Sequence, residues 1–155
     1  MSDRKQALLD DVRAAHSEFL GVISKLTPEQ CEAPVNEGWS VKDMLAHLSS
    51  IEARLRSMWQ HALDGREWPA ADKSVDAYNA RCVEERRSWP VERIVDEFKR
   101  SGAESLAFID RLGPEELDRT FNHPVRGVVT IESLVQIIPR HLREHGAQIK
   151  AAIGG

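Results

Sequence analysis

Apolar residues recur at three- and four-residue intervals in four long segments of the 155-residue chain. These segments run from about residue 3 to 26, 41 to 63, 91 to 112 and 131 to 153, and no segment alternates over the length of a strand. The spacing is typical of amphipathic helices that each bury one apolar stripe. Four such helices predict an all-α four-helix bundle.

Residues that cap helices mark several ends of these segments. Thr27 stands three residues before Gln30, with a proline between them, which is the pattern of a capping box. Ser40, followed three residues later by Asp43, predicts the start of the second long helix, and Thr130 predicts the start of the fourth.

A long connection of looser pattern, residues 64–90, separates the second long helix from the third. Gly65, Pro69 and Pro90 interrupt it, and residues 74–89 predict a polar helix within it. Because a connection of this length allows the helices before and after it to run parallel, we expect an up-down-down-up order. The length of the chain predicts a single domain over residues 1–155.

Charge and composition argue against several classes of protein. The chain carries 21 Lys and Arg against 25 Asp and Glu, a formal net charge of −4, without a basic cluster. Because nonspecific nucleic-acid binding depends on cations that face phosphates, we expect no nucleic-acid partner. No apolar run is long enough to cross a bilayer and the first residues lack the apolar core of a signal peptide, so we expect no membrane partner and a cytoplasmic location. Cys31 and Cys82 form neither a CxxC pair nor a disulfide framework.

Three of the six histidines occupy positions that point to one site. His141 and His145 are four residues apart and therefore share one face of the fourth helix, where His145 takes a core position of the apolar stripe. His47 lies at the border of the apolar stripe of the second helix. Because metal sites in bundles form from inward side chains on facing helices, these residues predict a three-histidine site for Zn²⁺, Ni²⁺ or Fe²⁺. The alternative is a set of half-buried histidines satisfied by hydrogen bonds.

The other histidines have weaker signals. We expect His16 to be exposed, since it lies opposite much of the apolar stripe of the first helix. His61 suits the C-terminus of its helix, and His123, before a proline, suits a turn. The five residues from His141 to His145 also match the H-x-x-E-H pattern of inverzincin proteases, but those proteases have much larger chains and we reject that interpretation.

Several motifs together resemble one family. The segment from Gly38 to Leu48, GWSVKDMLAHL, resembles the helix-two signature of the DinB/YfiT-like superfamily, and His141-x-x-x-His145 resembles its helix-four signature. Residues 76–87, DAYNARCVEERR, are similar to the connection between the two halves of those bundles. The resemblance implies a four-helix bundle with a divalent metal, often zinc or nickel, on His47, His141 and His145. The superfamily includes thiol S-transferases and mycothiol-dependent maleylpyruvate isomerases, which implies a low-molecular-weight thiol as a co-substrate.

These observations predict a metal-dependent enzyme that acts on a small electrophilic molecule. The ion would activate water, as in a hydrolase, or hold a thiol as thiolate, as in a thiol S-transferase. Three carboxylates are candidates to accept a hydrogen bond from the ring nitrogen of each histidine that does not bind the metal: Asp43, Glu52 and Glu144. Two alternatives stay open. One is a non-catalytic stress or toxin-resistance binding protein, and the other is a structural bundle that forms a homodimer and packs His145 far from His47.

Overall fold

The computed structural model describes residues 3–36, 38–69 and 73–154. Its four long helices are α1 (Asp3–Ile23), α3 (Val41–Asp64), α5 (Val91–Arg111) and α6 (Ile131–Ala152). Two shorter helices are α2 (Pro28–Glu32) and α4 (Val75–Arg86), and a 3₁₀ helix covers Pro114–Asp118. The predicted four-helix bundle, with a further helix inside the long connection, is confirmed.

The helices begin at the predicted capping residues. The Thr27 hydroxyl accepts a hydrogen bond from the backbone N–H of Gln30, whose side chain accepts one from the N–H of Thr27. Ser40 and Asp43 make the same reciprocal pair at the start of α3. Thr130 caps α6 in the same way. These caps satisfy backbone donors that the first turn of a helix leaves unpaired.

Two short antiparallel hairpins correct the expectation of a chain without strands. β1 (Pro34–Asn36) pairs with β2 (Trp39–Ser40), and β3 (Thr120–His123) pairs with β4 (Gly127–Thr130). Strands of two to four residues are too short to produce a recognisable alternation in the sequence. Each hairpin leads directly into one of the two helices that carry the predicted metal-binding histidines.

Contacts along the bundle establish the direction of each helix. Arg4 near the start of α1 pairs with Glu132 near the start of α6 at 2.9 Å, and Glu18 further along α1 pairs with Arg143 at 3.1 Å. These two helices are therefore parallel. In contrast, Lys5 donates to the carbonyl of Asp110 at the far end of α5, so α1 and α5 are antiparallel.

The long connection also joins two parallel helices. Ser49 of α3 donates to Glu97 of α5 at 2.7 Å, and Arg56, two turns later, donates to Ser105 at 2.7 Å. The predicted up-down-down-up order is thus confirmed. It places α3 antiparallel to α6, so the beginning of α3 faces the end of α6.

The core lies between the four long helices and is filled by aliphatic and aromatic side chains. The largest of its fully buried side chains is Trp59 of α3, with Phe19 and Phe98 packed ring against ring at 5.1 Å between α1 and α5. Burial of each such side chain contributes roughly 1.5–3 kcal/mol to folding. Within the described residues, no helix combines the length and apolar character needed to cross a bilayer.

Candidate metal centre

Three histidines meet where the beginning of α3 faces the end of α6. His47 of α3 is buried, with 4% of its surface exposed, and His141 and His145 of α6 are half-buried. One ring nitrogen from each residue lies within 4.8 Å of the other two. The antiparallel packing of α3 and α6 thus brings together the three residues that the sequence singled out.

The three rings form a compact triangle. The ring centroids of His47 and His145 are 5.4 Å apart, as are those of His141 and His145, and those of His47 and His141 are 6.4 Å apart. Trp39 of β2 covers another side of His47, with its ring centroid at 5.3 Å. The hairpin before α3 therefore supplies an aromatic wall to the site.

Burial keeps two of these imidazoles neutral. Burial, together with the neighbouring His145 and His141 rings, lowers the pKa of His47 to about 3. Burial and the neighbouring His145 ring likewise lower the pKa of His141 to about 4. Because a metal binds the unprotonated nitrogen of imidazole, both residues are ready to act as ligands at neutral pH.

A hydrogen bond on α6 orients the third ring. The Nδ1 atom of His145 lies 2.8 Å from the Oε1 atom of Gln148. An amide oxygen only accepts hydrogen bonds, so the proton of His145 lies on Nδ1 and the lone pair lies on Nε2. Gln148 was not among the predicted site residues, although its i+3 spacing from His145 on one helix was the available signal.

Three buried polar atoms at the site lack a hydrogen bond. They are Nδ1 of His47, Nδ1 of His141 and Oδ1 of Asn79. The Asn79 amide, on α4, lies near enough to His47 to raise its pKa, against the larger effect of burial. An unsatisfied buried polar group costs about 1–3 kcal/mol, so these groups do not serve stability. Three imidazole nitrogens within 4.8 Å of one another are a ligand set that fits a divalent metal ion.

Two of the carboxylates predicted to support the histidines make different contacts. Asp43 accepts from the backbone N–H of Ser40 at 3.1 Å and pairs with Arg87 at 3.4 Å. Glu144 is exposed, and its charge raises the pKa of His141 against the effect of burial. Neither carboxylate makes a hydrogen bond to a histidine of the site among the described residues.

The third predicted carboxylate, Glu52, is buried and contacts a different histidine. Its Oε2 atom lies 2.8 Å from Nε2 of His16, and its Oε1 atom accepts a hydrogen bond from Ser105 at 2.7 Å. The expectation that His16 is exposed is wrong, since only 8% of its surface is accessible. Because both α5 and α6 pack against α1, they bury more of its circumference than its apolar stripe alone predicts, and His16 lies in this additional buried part.

The two remaining histidines behave as their positions predict. His61, in the last turn of α3, has Nδ1 2.8 Å from the carbonyl oxygen of Ser57. His123 is the last residue of β3, and its Nδ1 accepts hydrogen bonds from the backbone N–H groups of Val125 and Arg126 in the turn that follows. Cys31 and Cys82 are both buried free thiols.

Known proteins with solved structures share this fold. YfiT from Bacillus subtilis, described as a candidate metal-dependent hydrolase with an unusual four-helix bundle topology, superposes with a TM-score of 0.80 at 16% identity, over 98% of this chain and 87% of YfiT. The colibactin self-resistance protein ClbS, solved in complex with double-stranded DNA, gives a TM-score of 0.78 at 11% identity, over 96% of this chain and 94% of ClbS. The mycothiol-dependent maleylpyruvate isomerase gives 0.80 at 15% identity, over 96% of this chain, which spans 63% of the isomerase.

Sequence similarity identifies the family. A candidate metal-dependent hydrolase from Oceanobacillus iheyensis is 23% identical over 134 residues, which cover 84% of this chain and 75% of that protein. The sequence model of the DinB superfamily matches residues 11–149, nearly the whole length of the chain. On that match, the chain belongs to the DinB superfamily.

Proposed function

We propose that this protein is a hydrolase that depends on a divalent metal and acts on a small electrophilic molecule. His47, His141 and His145 are the proposed ligands. The observation that carries the proposal is the set of three imidazole nitrogens within 4.8 Å of one another, two of them on rings that burial keeps neutral. Similarity to the Oceanobacillus iheyensis hydrolase and to YfiT supports the same chemistry.

Three neutral ligands suit a catalytic rather than a structural metal. They would leave a bound ion its full 2+ charge, and the ion would then supply Lewis-acid chemistry and activation of water. Imidazole nitrogens bind Zn²⁺, Ni²⁺ and Fe²⁺, and we propose zinc or nickel as the ion in this site. A bundle with this large a core needs no ion in order to fold, so an ion held there serves chemistry.

Side chains around the histidines hold and shield them. Gln148 accepts the Nδ1 proton of His145 and so directs the Nε2 lone pair of that ring toward its neighbours. Trp39 packs against the His47 ring and excludes water from that side. Water exclusion strengthens every electrostatic interaction inside the site.

Metal content of single variants tests the ligand assignment. We expect the purified protein to bind close to one equivalent of zinc or nickel, and His47→Ala, His141→Ala and His145→Ala each to lose most of it. His61→Ala is the matched control, because His61 lies on α3 but its ring contacts Ser57 and Trp68 instead of the site. Full metal content in all three ligand variants, measured by elemental analysis, would end the proposal.

Activity measurements then test the reaction class. We expect hydrolysis of a substrate in a panel of small esters, amides and lactones, its loss on treatment with a chelator, and its recovery on addition of zinc or nickel. Turnover that persists in the metal-free protein would exclude the metal from the reaction.

A thiol S-transferase is the second candidate. It is supported by the similarity to the mycothiol-dependent isomerase, of which this chain spans 63%. In that case the bound ion would supply stabilisation of a thiolate, and a low-molecular-weight thiol would be the co-substrate. Substrate consumption that requires an added thiol, such as mycothiol, distinguishes this activity from hydrolysis.

A non-catalytic resistance or stress protein is the third candidate, supported by similarity to ClbS. A chelator that lowers the melting temperature of this chain, with no activity in either panel, would favour it. ClbS was solved with double-stranded DNA, whereas the net charge of −4 leads us to propose no nucleic-acid partner here. Fluorescence anisotropy with a short DNA duplex at low salt tests that point. A homodimer and a cytoplasmic location stay predictions.

A structural bundle is the least supported alternative. It predicts His145 packed in the apolar core far from His47, and the 5.4 Å between their ring centroids opposes it.

A further inference from the structure

A cavity of about 180 Å³ lies directly beside the candidate metal centre, since His141 forms part of its wall. The other walls come from α3, from Val75 of α4, from α6 and from the β3–β4 hairpin. Pockets for drug-sized ligands measure roughly 300–1,000 Å³, so this cavity suits a smaller molecule. A molecule bound in it would lie next to the three histidines.

The interior of the cavity is apolar. Ile51, Leu55 and Met58 line it from one face of α3, where their spacing of four and three residues places them in a row. Ile137 of α6 lies across from them. These side chains favour a ligand with an aliphatic or aromatic body, because its burial removes apolar surface from water.

Two arginines line the cavity. Arg126, on the turn between β3 and β4, lines the cavity, is exposed, and makes no ion pair with any residue in the described part of the chain. Arg54 lines the cavity from α3, with its guanidinium 5.2 Å from the Trp68 ring and 5.0 Å from the Tyr78 ring. None of the described residues that line the cavity is acidic. Burial and the charges of Arg126 and Arg54 lower the pKa of His123, which also lines the cavity.

His123 holds Arg126 in this position. Its Nδ1 atom accepts hydrogen bonds from the backbone N–H groups of Val125 and Arg126, both at 3.1 Å. An accepting Nδ1 places the ring proton on Nε2 and fixes the neutral tautomer. The turn therefore presents the arginine through its backbone geometry while the guanidinium stays available to a ligand.

We propose that this cavity binds a small carboxylate with an apolar body. The carboxylate pairs with Arg126, since guanidinium and carboxylate match in charge and in hydrogen-bond geometry. The apolar body lies between α3 and α6, with its far part beside His141. The assignment of such an acid as the substrate rests on the proposed hydrolase function. Binding of the acid to the cavity does not depend on catalysis.

A pair of probes of equal length tests the proposal. Hexanoate and hexanamide differ in charge and share the same apolar chain, and both are titrated into the full-length protein by calorimetry or NMR. We expect hexanoate to bind more tightly than hexanamide. Arg126→Gln should weaken hexanoate binding about tenfold or more, the value of a charge-assisted hydrogen bond, and leave hexanamide binding unchanged.

Arg140→Gln is the matched control. It removes the same charge from an exposed residue that adjoins His141 in the sequence but does not line the cavity. We expect it to change hexanoate affinity by less than about threefold, as for a charge at a distance. Equal losses in the two variants, or equal affinity of the native protein for the two probes, would overturn the proposal. Melting temperatures of both variants show that they remain folded.

His145→Ala separates this proposal from the proposed function. His145 is a proposed metal ligand but does not line the cavity. We expect this variant to keep its preference for hexanoate and the dependence of that preference on Arg126. Loss of hexanoate binding in His145→Ala would mean that the acid binds the metal and would refute the cavity assignment. If the metal analysis fails while the Arg126-dependent preference persists, the carboxylate site stands and the hydrolase proposal falls.

Discussion

Gly102 of α5 packs against the ring of His16 of α1 so closely that a Cβ atom at position 102 would lie 2.5 Å from both Cε1 and Nδ1 of that ring. The ring has little freedom to move, because Glu52 holds its Nε2 at 2.8 Å and Phe98 packs against it at a centroid distance of 5.2 Å. The absence of a side chain at position 102 therefore sets how closely α1 and α5 approach.

Gly102→Ala should lower the free energy of unfolding by about 1–3 kcal/mol, since overpacking outweighs the gain in helix propensity. Gly21→Ala is the matched control, because no atom lies within 4 Å of a Cβ at that position of α1. We expect it to raise the free energy of unfolding by up to about 1 kcal/mol. Urea denaturation of both variants measures the two effects, and destabilisation of equal size in both would contradict the packing argument.

Glu52→Gln should also destabilise the protein, by about 1–3 kcal/mol, because it weakens buried hydrogen bonds to His16 and Ser105. Glu104→Gln is the comparison, since Glu104 is an exposed partner of Arg56 in the same region and its loss should cost less than about 1 kcal/mol. Metal content should be unchanged in Glu52→Gln, because the contacts of Glu52 lie outside the three-histidine site. A fall in metal content without a fall in stability would instead assign Glu52 to the metal centre.

Gln148→Leu should weaken zinc binding about 10- to 100-fold, because His145 loses the acceptor that fixes its tautomer. Gln148→Glu retains an acceptor and should keep or strengthen zinc affinity. Competition with a chromophoric chelator measures both constants. Identical affinities for the leucine and glutamate variants would show that the hydrogen bond does not orient the ligand.

Glu97→Gln should reduce stability in a way that depends on pH. Burial raises the pKa of Glu97, but hydrogen bonds from Arg86, at 2.7 Å to each carboxylate oxygen, and from Ser49 together lower it below its ordinary value of 4.5. A pKa lower in the folded than in the unfolded state stabilises the protein at pH values above 4.5, and that stabilisation is lost as pH falls through the folded-state pKa.

At pH 7 we expect the free energy of unfolding of Glu97→Gln to be about 1–2 kcal/mol lower than that of the native protein. This difference should shrink below about pH 4.5. Glu85→Gln is the control, because Glu85 is an exposed, more distant partner of the same arginine, at 3.5 Å. Urea titrations at several pH values provide the measurement. A difference that stays constant down to pH 3 would contradict the pKa assignment.

Signals in the sequence were sufficient to predict the four-helix bundle and the order of its helices. Three helices start at capping residues whose contacts lie within a few residues of sequence, namely Thr27, Ser40 and Thr130. These helix starts can therefore be predicted without tertiary structure. The parallel arrangement of α3 and α5 followed from the length of their connection. The two hairpins were missed because their pairing depends on turns and on packing against the helices rather than on an alternating pattern.

The candidate site was predictable only in part. The spacing of His141 and His145 places them on one helix face, and His47 lies at the border of an apolar stripe. All three were therefore predicted as site residues. Asn79 and Trp39 reach the site through the packing of other elements onto α3, which no local spacing encodes. His16 was misplaced for the same reason, since its burial depends on the close approach of Gly102.

The ligands of the candidate centre come from opposite halves of the chain, with His47 before the long connection and His141 and His145 after it. Neither half supplies all three proposed ligands, and in the unfolded chain the entropy of closing so long a loop keeps the ligands apart. An ion that binds only the assembled bundle shifts the folding equilibrium by mass action. If an ion binds the folded protein at this site, denaturation of the loaded protein should therefore release the ion in the same transition that separates the two halves.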